Sequence, residues 1–176
     1  MKINALLKTT FLFFGICIVL IVTFFLFVLR GSQMPTDASL VRQFESNKEA
    51  FEEMIKMLQV DQRVGGVSSR GVCNTNINET SLGAVGISED RYQKYLTLLK
   101  QAGAKSVIRE ERDNGIREIR FLVAGWGALD VGWQISVMWT EVEPKLLIAN
   151  LDGLQKTTSH VAYRPLGDNW YLRIGW

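Results

Sequence analysis

The longest apolar run lies at the start of the chain. Residues 11–29 carry no charge and read Phe-Leu-Phe-Phe-Gly-Ile-Cys-Ile-Val-Leu-Ile-Val-Thr-Phe-Phe-Leu-Phe-Val-Leu. As a helix rising about 1.5 Å per residue the run reaches about 28 Å. That is close to the roughly 30 Å hydrocarbon core of a bilayer. A cleaved signal peptide is the competing reading. The run exceeds the roughly 7–15 residues of a secretory h-region, and Leu29-Arg30-Gly31 offers no small-x-small cleavage site. Phe14-Gly15-Ile16 before Cys17 is not a lipobox. The pattern therefore predicts a cytoplasmic tail and transmembrane helix over 1–30, a tether over 31–39 and a water-soluble domain over 40–176.

Two amphipathic stretches follow. Phe44, Phe51, Met54, Ile55 and Leu58 repeat at helical spacing, and Ser46 with Glu49 has the form of a capping box. They predict a helix over about 47–59, with Leu40, Val41 and Phe44 as a backward extension. Tyr92, Tyr95, Leu96, Leu99 and Ala102 form a second stripe. Ser88 before it is a good N-cap and Gly103 after it a good C-terminal stop, which predicts a helix over 89–102. Between the two, residues 63–85 hold Gly65, Gly66, Gly71, Gly83 and the polar run Asn74-Thr75-Asn76. This stretch reads as a long loop with one short strand at about 64–67.

After Gly103 the period changes to two. Residues 106–112 and 116–123 flank Asp113-Asn114-Gly115, a hairpin signal. Trp133, Ile135, Val137 and Trp139 alternate with Gln134, Ser136, Met138 and Thr140, and the last strand puts Trp170, Leu172, Ile174 and Trp176 on one face. A terminal hairpin joins 157–164 to 170–176 through Leu166-Gly167-Asp168-Asn169. Gly125-Trp126-Gly127-Ala128 reads as a turn between strands. Helices first and a meander afterwards predict an α+β fold: after the transmembrane helix, two helices packed on an antiparallel sheet of four to six strands.

Charge changes the picture little. The net charge is +2, but Lys2, Lys8 and Arg30 are the only charges in the first 30 residues, so the rest of the chain holds 17 of the 20 basic residues against 18 acidic ones, a net of −1. A near-neutral domain with mixed charges has no electrostatic footprint for nucleic acid. Lys2 and Lys8 before the span slightly favour a cytoplasmic N-terminus. The lipid bilayer is then the partner of residues 11–29, and the C-terminal domain faces the periplasm from a single-pass anchor in the inner membrane.

Candidate chemistry is sparse. Cys73 is the sole thiol after the span and His160 the sole histidine. A nucleophilic pair of the two, with Asn150, Asp152 or Asp168 orienting the imidazole, is one hypothesis. No flanking motif supports it, and Gly71-Val72-Cys73-Asn74 is not a nucleophile elbow. The scattered carboxylates have neither zinc-ligand spacing nor the form of a calcium loop, so no metal and no cofactor is expected. Gly125-Trp126-Gly127 is no phosphate loop. The other tryptophans fit core positions. Trp126, Asn74 and Asn76 are the candidate binding residues, placed on a surface formed by the 65–86 loop and the turn around Trp126, because loops carry function more often than the elements they join.

Three stretches carry a resemblance: Phe44-x-x-Asn47-x-x-x-Phe51 with Met57 and Asp61, then Leu147-Ile148-x-x-Leu151-Asp152, then Tyr163-Arg164-Pro165-Leu166 before Trp170-Tyr171-Leu172. Together they resemble small bacterial envelope proteins, often lipoproteins or singly anchored, for which no activity is known. The resemblance spans most of the domain after the span. Its motifs are packing residues and turns, so no functional residue carries over from it, and this chain lacks the lipobox. It implies a bacterial envelope location. The leading expectation is thus a membrane-anchored, non-catalytic envelope module that binds a protein or cell-wall partner. The other two are a small envelope hydrolase using Cys73 and His160, and an immunity or inhibitor protein against an envelope-acting toxin.

Overall fold

The computed structural model of the protein describes residues 18, 19, 23, 34–76, 78–111, 117–128, 131–151 and 161–176; of 111, 117, 126–128 and 131 it describes the backbone path alone. The chain divides into two units, Met1–Met34 and Pro35–Trp176. In the first, Ile18, Val19 and Thr23 are helical, and the Thr23 hydroxyl donates to the Val19 carbonyl at 2.7 Å. The rest of the expected span over 11–29 lies outside the described residues. Among those described, no helix is long and apolar enough to cross a membrane.

The second unit is α+β, an eight-stranded antiparallel sheet with three helices among the described residues. Helix α1 spans Asp37–Val60, starting ten residues before the expected 47. Thr36 is its N-cap and accepts a hydrogen bond from the Ser39 N–H. The Ser46–Glu49 pattern marks a kink and not a start. Asn47 leaves helical geometry (φ −128°, ψ 15°), and its side-chain amide donates to the Gln43 carbonyl at 2.9 Å, satisfying an acceptor that the broken ladder leaves over. Burial explains why the helix continues backward: Leu40 and Phe44 sit in the core with Phe51, Met54 and Leu58. A single turn, α2, spans Leu82–Val85. Helix α3 spans Glu89–Ala102 as expected, with Ser88 accepting from the Arg91 N–H and Gly103 in the left-handed region at φ 66°. Helices α1 and α3 pack together, and the Gln43 side-chain amide donates to the Ala102 and Gly103 carbonyls that end α3.

The strands are β1 Val64–Ser68, β2 Gly71–Asn74, β3 Glu79–Thr80, β4 Ser106–Glu111, β5 Arg117–Ala128, β6 Val131–Thr140, β7 Val161–Gly167 and β8 Trp170–Gly175. Their order across the sheet is β3-β2-β1-β4-β5-β6-β8-β7. The five strands after Gly103 fall within the expected number. The other three come from the stretch read as loop, of which only β1 was anticipated. The glycines in β1 serve close approach and not a turn. At β7 the outer edge is covered by an isolated parallel bridge, Leu147 to Tyr163. The β7–β8 turn places Asp168 and Asn169 at φ 49° and 66°, the geometry of a type I′ hairpin. The turn at 113–115 and residues 157–160 lie outside the described residues.

The register sorts the sheet into two faces. Val107, Phe121, Val137 and Leu172 line up across β4, β5, β6 and β8, and an aromatic cluster of Phe44, Phe51, Phe121 and Trp170 joins them to α1 at ring separations of 5.0–6.2 Å. The opposite face departs from expectation. The alternation predicts one buried face, with Ser136, Met138 and Thr140 on the other, yet all three are buried, as is Tyr171 beside Met138. The same face carries charge. Arg120 of β5 pairs with Glu110 of β4 and lies 3.2 Å, by its Nε, from the carboxylate of Glu118, which is 3% exposed. The Nε contact is an ion pair without hydrogen-bond alignment. Arg120→Met should therefore destabilise the fold by about 2 kcal/mol. Breaking a fully buried pair costs roughly 3–5 kcal/mol, and Arg120 at 20% and Glu110 at 34% exposure reduce that. Urea denaturation checks it. Adding Glu118→Gln should recover part of the loss, because it removes one of the two carboxylates that Arg120 pairs with.

Candidate functional site

A cleft of about 300 Å³ opens on the helix-covered face at one end of the sheet. It is lined by Leu58, Gln59 and Gln62 from the end of α1 and just beyond, Thr75 after β2, Arg109 of β4, Ile119 of β5 and Trp139 of β6. The register brings the last three side by side, since Arg109 pairs with Ile119 and Ile119 with Trp139.

Arg109 has a definite task here. Helix α1 has no basic residue in its last turn, and Asp61 at its C-cap adds a negative charge to the negative end of the helix dipole. Two arginines from elsewhere in the fold answer this. Arg109 donates to the carbonyls of Leu58 and Gln62. Arg91 of α3 donates from Nε to the Asp61 carboxylate at 2.8 Å, and its guanidinium is held above its ordinary value chiefly by that bond. Tyr95, fully buried, donates its hydroxyl to the same carboxylate at 2.8 Å. Burial, then Asp61, pushes the Tyr95 pKa well above the ordinary phenol value.

The linkage sign is fixed by that direction. An unfolded tyrosine ionises near pH 10, roughly, while folded Tyr95 stays neutral. Its contribution is present below pH 10 and lost as pH rises past it. Tyr95→Phe should lower stability near neutrality by about 1 kcal/mol and flatten the alkaline decline. Denaturation midpoints from neutral to strongly alkaline pH test this, and an unchanged alkaline slope would rule Tyr95 out as a source.

The residues singled out in the sequence are scattered. Asn74 ends β2, and its side-chain carbonyl accepts from the Asn76 and Asn78 N–H groups, shaping the turn that puts Thr75 on the cleft. Asn76 is exposed on that turn. Trp126 is not in a turn. It lies inside β5, in backbone register with Trp133 of β6. Asn74 pairs with Val64 at the end of the sheet where Glu110 meets Glu118. Trp126 is eight residues further along β5 from Glu118, about 25 Å at roughly 3.3 Å per residue. Asn74 and Asn76 thus flank Thr75, the residue of that turn that lines the cleft, and both lie far from Trp126.

Cys73 is half-buried on β2, and burial, with the charge of Glu79 adding, pushes its thiol above the ordinary range. It pairs with Gly66, itself opposite Ile108, so it shares the sheet face of Arg120 and not that of the cleft. His160 lies outside the described residues. Its neighbour Val161 begins the strand at the far edge, six strand spacings from β2. Asn150 lies in the irregular segment before β7, Asp168 is exposed and 3.1 Å from the Lys48 ammonium, and Asp152 lies outside the described residues. Among the described residues no group of three His, Cys, Asp or Glu side chains could hold a metal ion.

Sequence reasoning missed Arg109, Gln59, Gln62 and Trp139. One signal was present: Arg109 occupies the same alternation as Val107, a charged residue on an apolar face. Trp139 was read as core, and it lines the cleft half-buried. No protein-family model, curated protein or solved structure matches the chain.

Proposed function

We propose that the protein is a non-catalytic, membrane-anchored module of the bacterial envelope that binds a protein or cell-wall partner through the cleft at the end of α1. One observation carries this reading. The exposed side chains of Gln59, Gln62 and Thr75 line one cleft together with the apolar side chains of Leu58, Ile119 and Trp139. Convergent polar groups over an apolar base are the usual composition of a binding pocket. The thiol reactivity needed for the hydrolase reading is opposed by burial, since a raised pKa reduces the thiolate at neutral pH. The anchor rests on the charge-free run over 11–29, and the envelope location on that run and the resemblance.

The test is capture of partners from detergent-solubilised membranes and from isolated cell wall, using the full chain. Thr75→Arg, which fills the cleft from an exposed position, should abolish most capture, and Cys73→Ala should leave it intact. Loss of function in Cys73→Ala with an unchanged fold would replace this reading with the hydrolase. Capture indifferent to Thr75→Arg would remove the cleft as the site.

A further inference from the structure

We infer that the cleft takes a single neutral sugar ring of a glycan, with the ring's apolar face against Trp139. This rests on the cleft being the binding site. Size is the first ground: about 300 Å³ is the lower limit of the roughly 300–1,000 Å³ found for ligand pockets, room for a ring and not for a folded segment.

Charge is the second. Among the described residues that line the cleft the one ionised side chain is Arg109, and its guanidinium is engaged with the Leu58 and Gln62 carbonyls. An anionic ligand would compete with those carbonyls for the cation and meet the negative end of α1. A cationic ligand would face the guanidinium. The remaining polar groups are two primary amides and a hydroxyl, each able to donate and accept. They suit a ligand rich in hydroxyl or acetamido groups that carries no charge.

The third ground separates a glycan from an extended peptide. The strands beneath the cleft, β4, β5 and β6, are interior strands whose neighbours occupy both edges. No free strand edge is available there for a peptide to add to the sheet. Recognition must come from the lining side chains, the indole of Trp139 among them. A pyranose ring fits, with polar hydroxyls at its rim and C–H groups on its face.

The probes are an N-acetylglucosamine trimer and a glucose trimer, titrated into the full chain in detergent micelles. The readout is the indole N–H resonance of Trp139, identified by its absence in Trp139→Phe. One trimer or both should shift that resonance saturably, with a Kd in the millimolar range or below. Gln62→Leu and Thr75→Val, both at exposed positions, should each weaken binding about fivefold, the equivalent of one lost hydrogen bond, without lowering the thermal midpoint. No shift with either trimer at about 10 mM overturns the sugar assignment. If Thr75→Arg still abolishes partner capture in that case, the cleft binds a protein and the functional reading survives. If capture is indifferent to Thr75→Arg as well, both fall together.

Discussion

Phe51→Ala should lower the unfolding free energy by about 3–5 kcal/mol, the range for truncating a buried aromatic ring. Phe51 is 0% exposed. Its ring lies 5.8 Å from Phe44, 5.0 Å from Phe121 edge-on and 5.9 Å from Trp170. Those neighbours belong to three different elements: Phe44 to α1, Phe121 to β5 and Trp170 to β8. For the cavity to close, the helix would have to move onto the sheet, and its ends are tied. Asp37 accepts from the Leu151 N–H at the start of α1 and forms an ion pair with Arg164 of β7, while Arg91 and Arg109 hold the other end. Poor collapse puts the cost in the upper part of the range. Phe51→Leu should recover more than half of it, because most of the volume returns. Equilibrium urea denaturation with near-ultraviolet circular dichroism measures both. A Phe51→Ala loss below about 1 kcal/mol would mean that the cluster is not the core of the fold.

Gly65→Ala should cost about 3 kcal/mol, at the top of the usual range for overpacking, and should also damage the cleft. A Cβ at Gly65 would stand 1.9 Å from the Asn74 carbonyl oxygen, 2.4 Å from its carbon and 2.8 Å from the Thr75 Cα. All three are backbone atoms, so no rotamer change relieves the overlap. Strands β1 and β2 must separate where their register already shifts, between Val64 and Gly66. That displacement carries Asn74 and Thr75 with it, and Thr75 lines the cleft. Gly83→Ala is the control. A Cβ there meets nothing within 4 Å, and in the turn of α2 alanine should be neutral or stabilising by about 0.5–1 kcal/mol. Partner capture by Gly65→Ala at a temperature where it remains folded separates the local effect from the global one. Wild-type stability and capture in Gly65→Ala would show that the close approach is not required.

How much was legible in the sequence follows from the range over which each signal acts. Helix α3 was readable to its ends because its stop signals are local: the Ser88 side chain and the Gly103 backbone act within one turn of the helix they bound. The strand alternation after Gly103 was readable because the side-chain period of two is a property of the strand itself. The terminal hairpin through Leu166-Gly167-Asp168-Asn169 was readable as a connection, and its turn type, with Asp168 and Asn169 at positive φ, came from the structure.

The start of α1 was not readable in this way. Asn47 breaks the helical ladder locally, and the helix continues across it because Leu40 and Phe44 are buried against the sheet and Asp37 is paired with Arg164. Strands β1 to β3 were hidden for a related reason. A glycine in a strand and a glycine in a turn are the same letter, and what distinguishes Gly65 is the Asn74 carbonyl that a side chain would strike. Trp126 was placed in a turn by the same ambiguity, until pairing with Trp133 carried the strand past it.

The cleft lies furthest from local reading. Leu58, Gln59 and Gln62, then Thr75, Arg109, Ile119 and Trp139, come from five places in the chain, and neither charge nor period marks most of them. By itself the sequence determined that helices lie over 47–59 and 89–102, where the sheet meander begins and that most of the large apolar side chains face inward, since each depends on neighbours a few residues away; the single turn of α2 and the first ten residues of α1 escaped it. The tertiary structure alone decided that Arg109 would close the end of α1, that Thr75 and Trp139 would line one cleft and that Cys73 would lie on the other face of the sheet. Those relations depend on strand order and register, which are set by the packing of the whole domain.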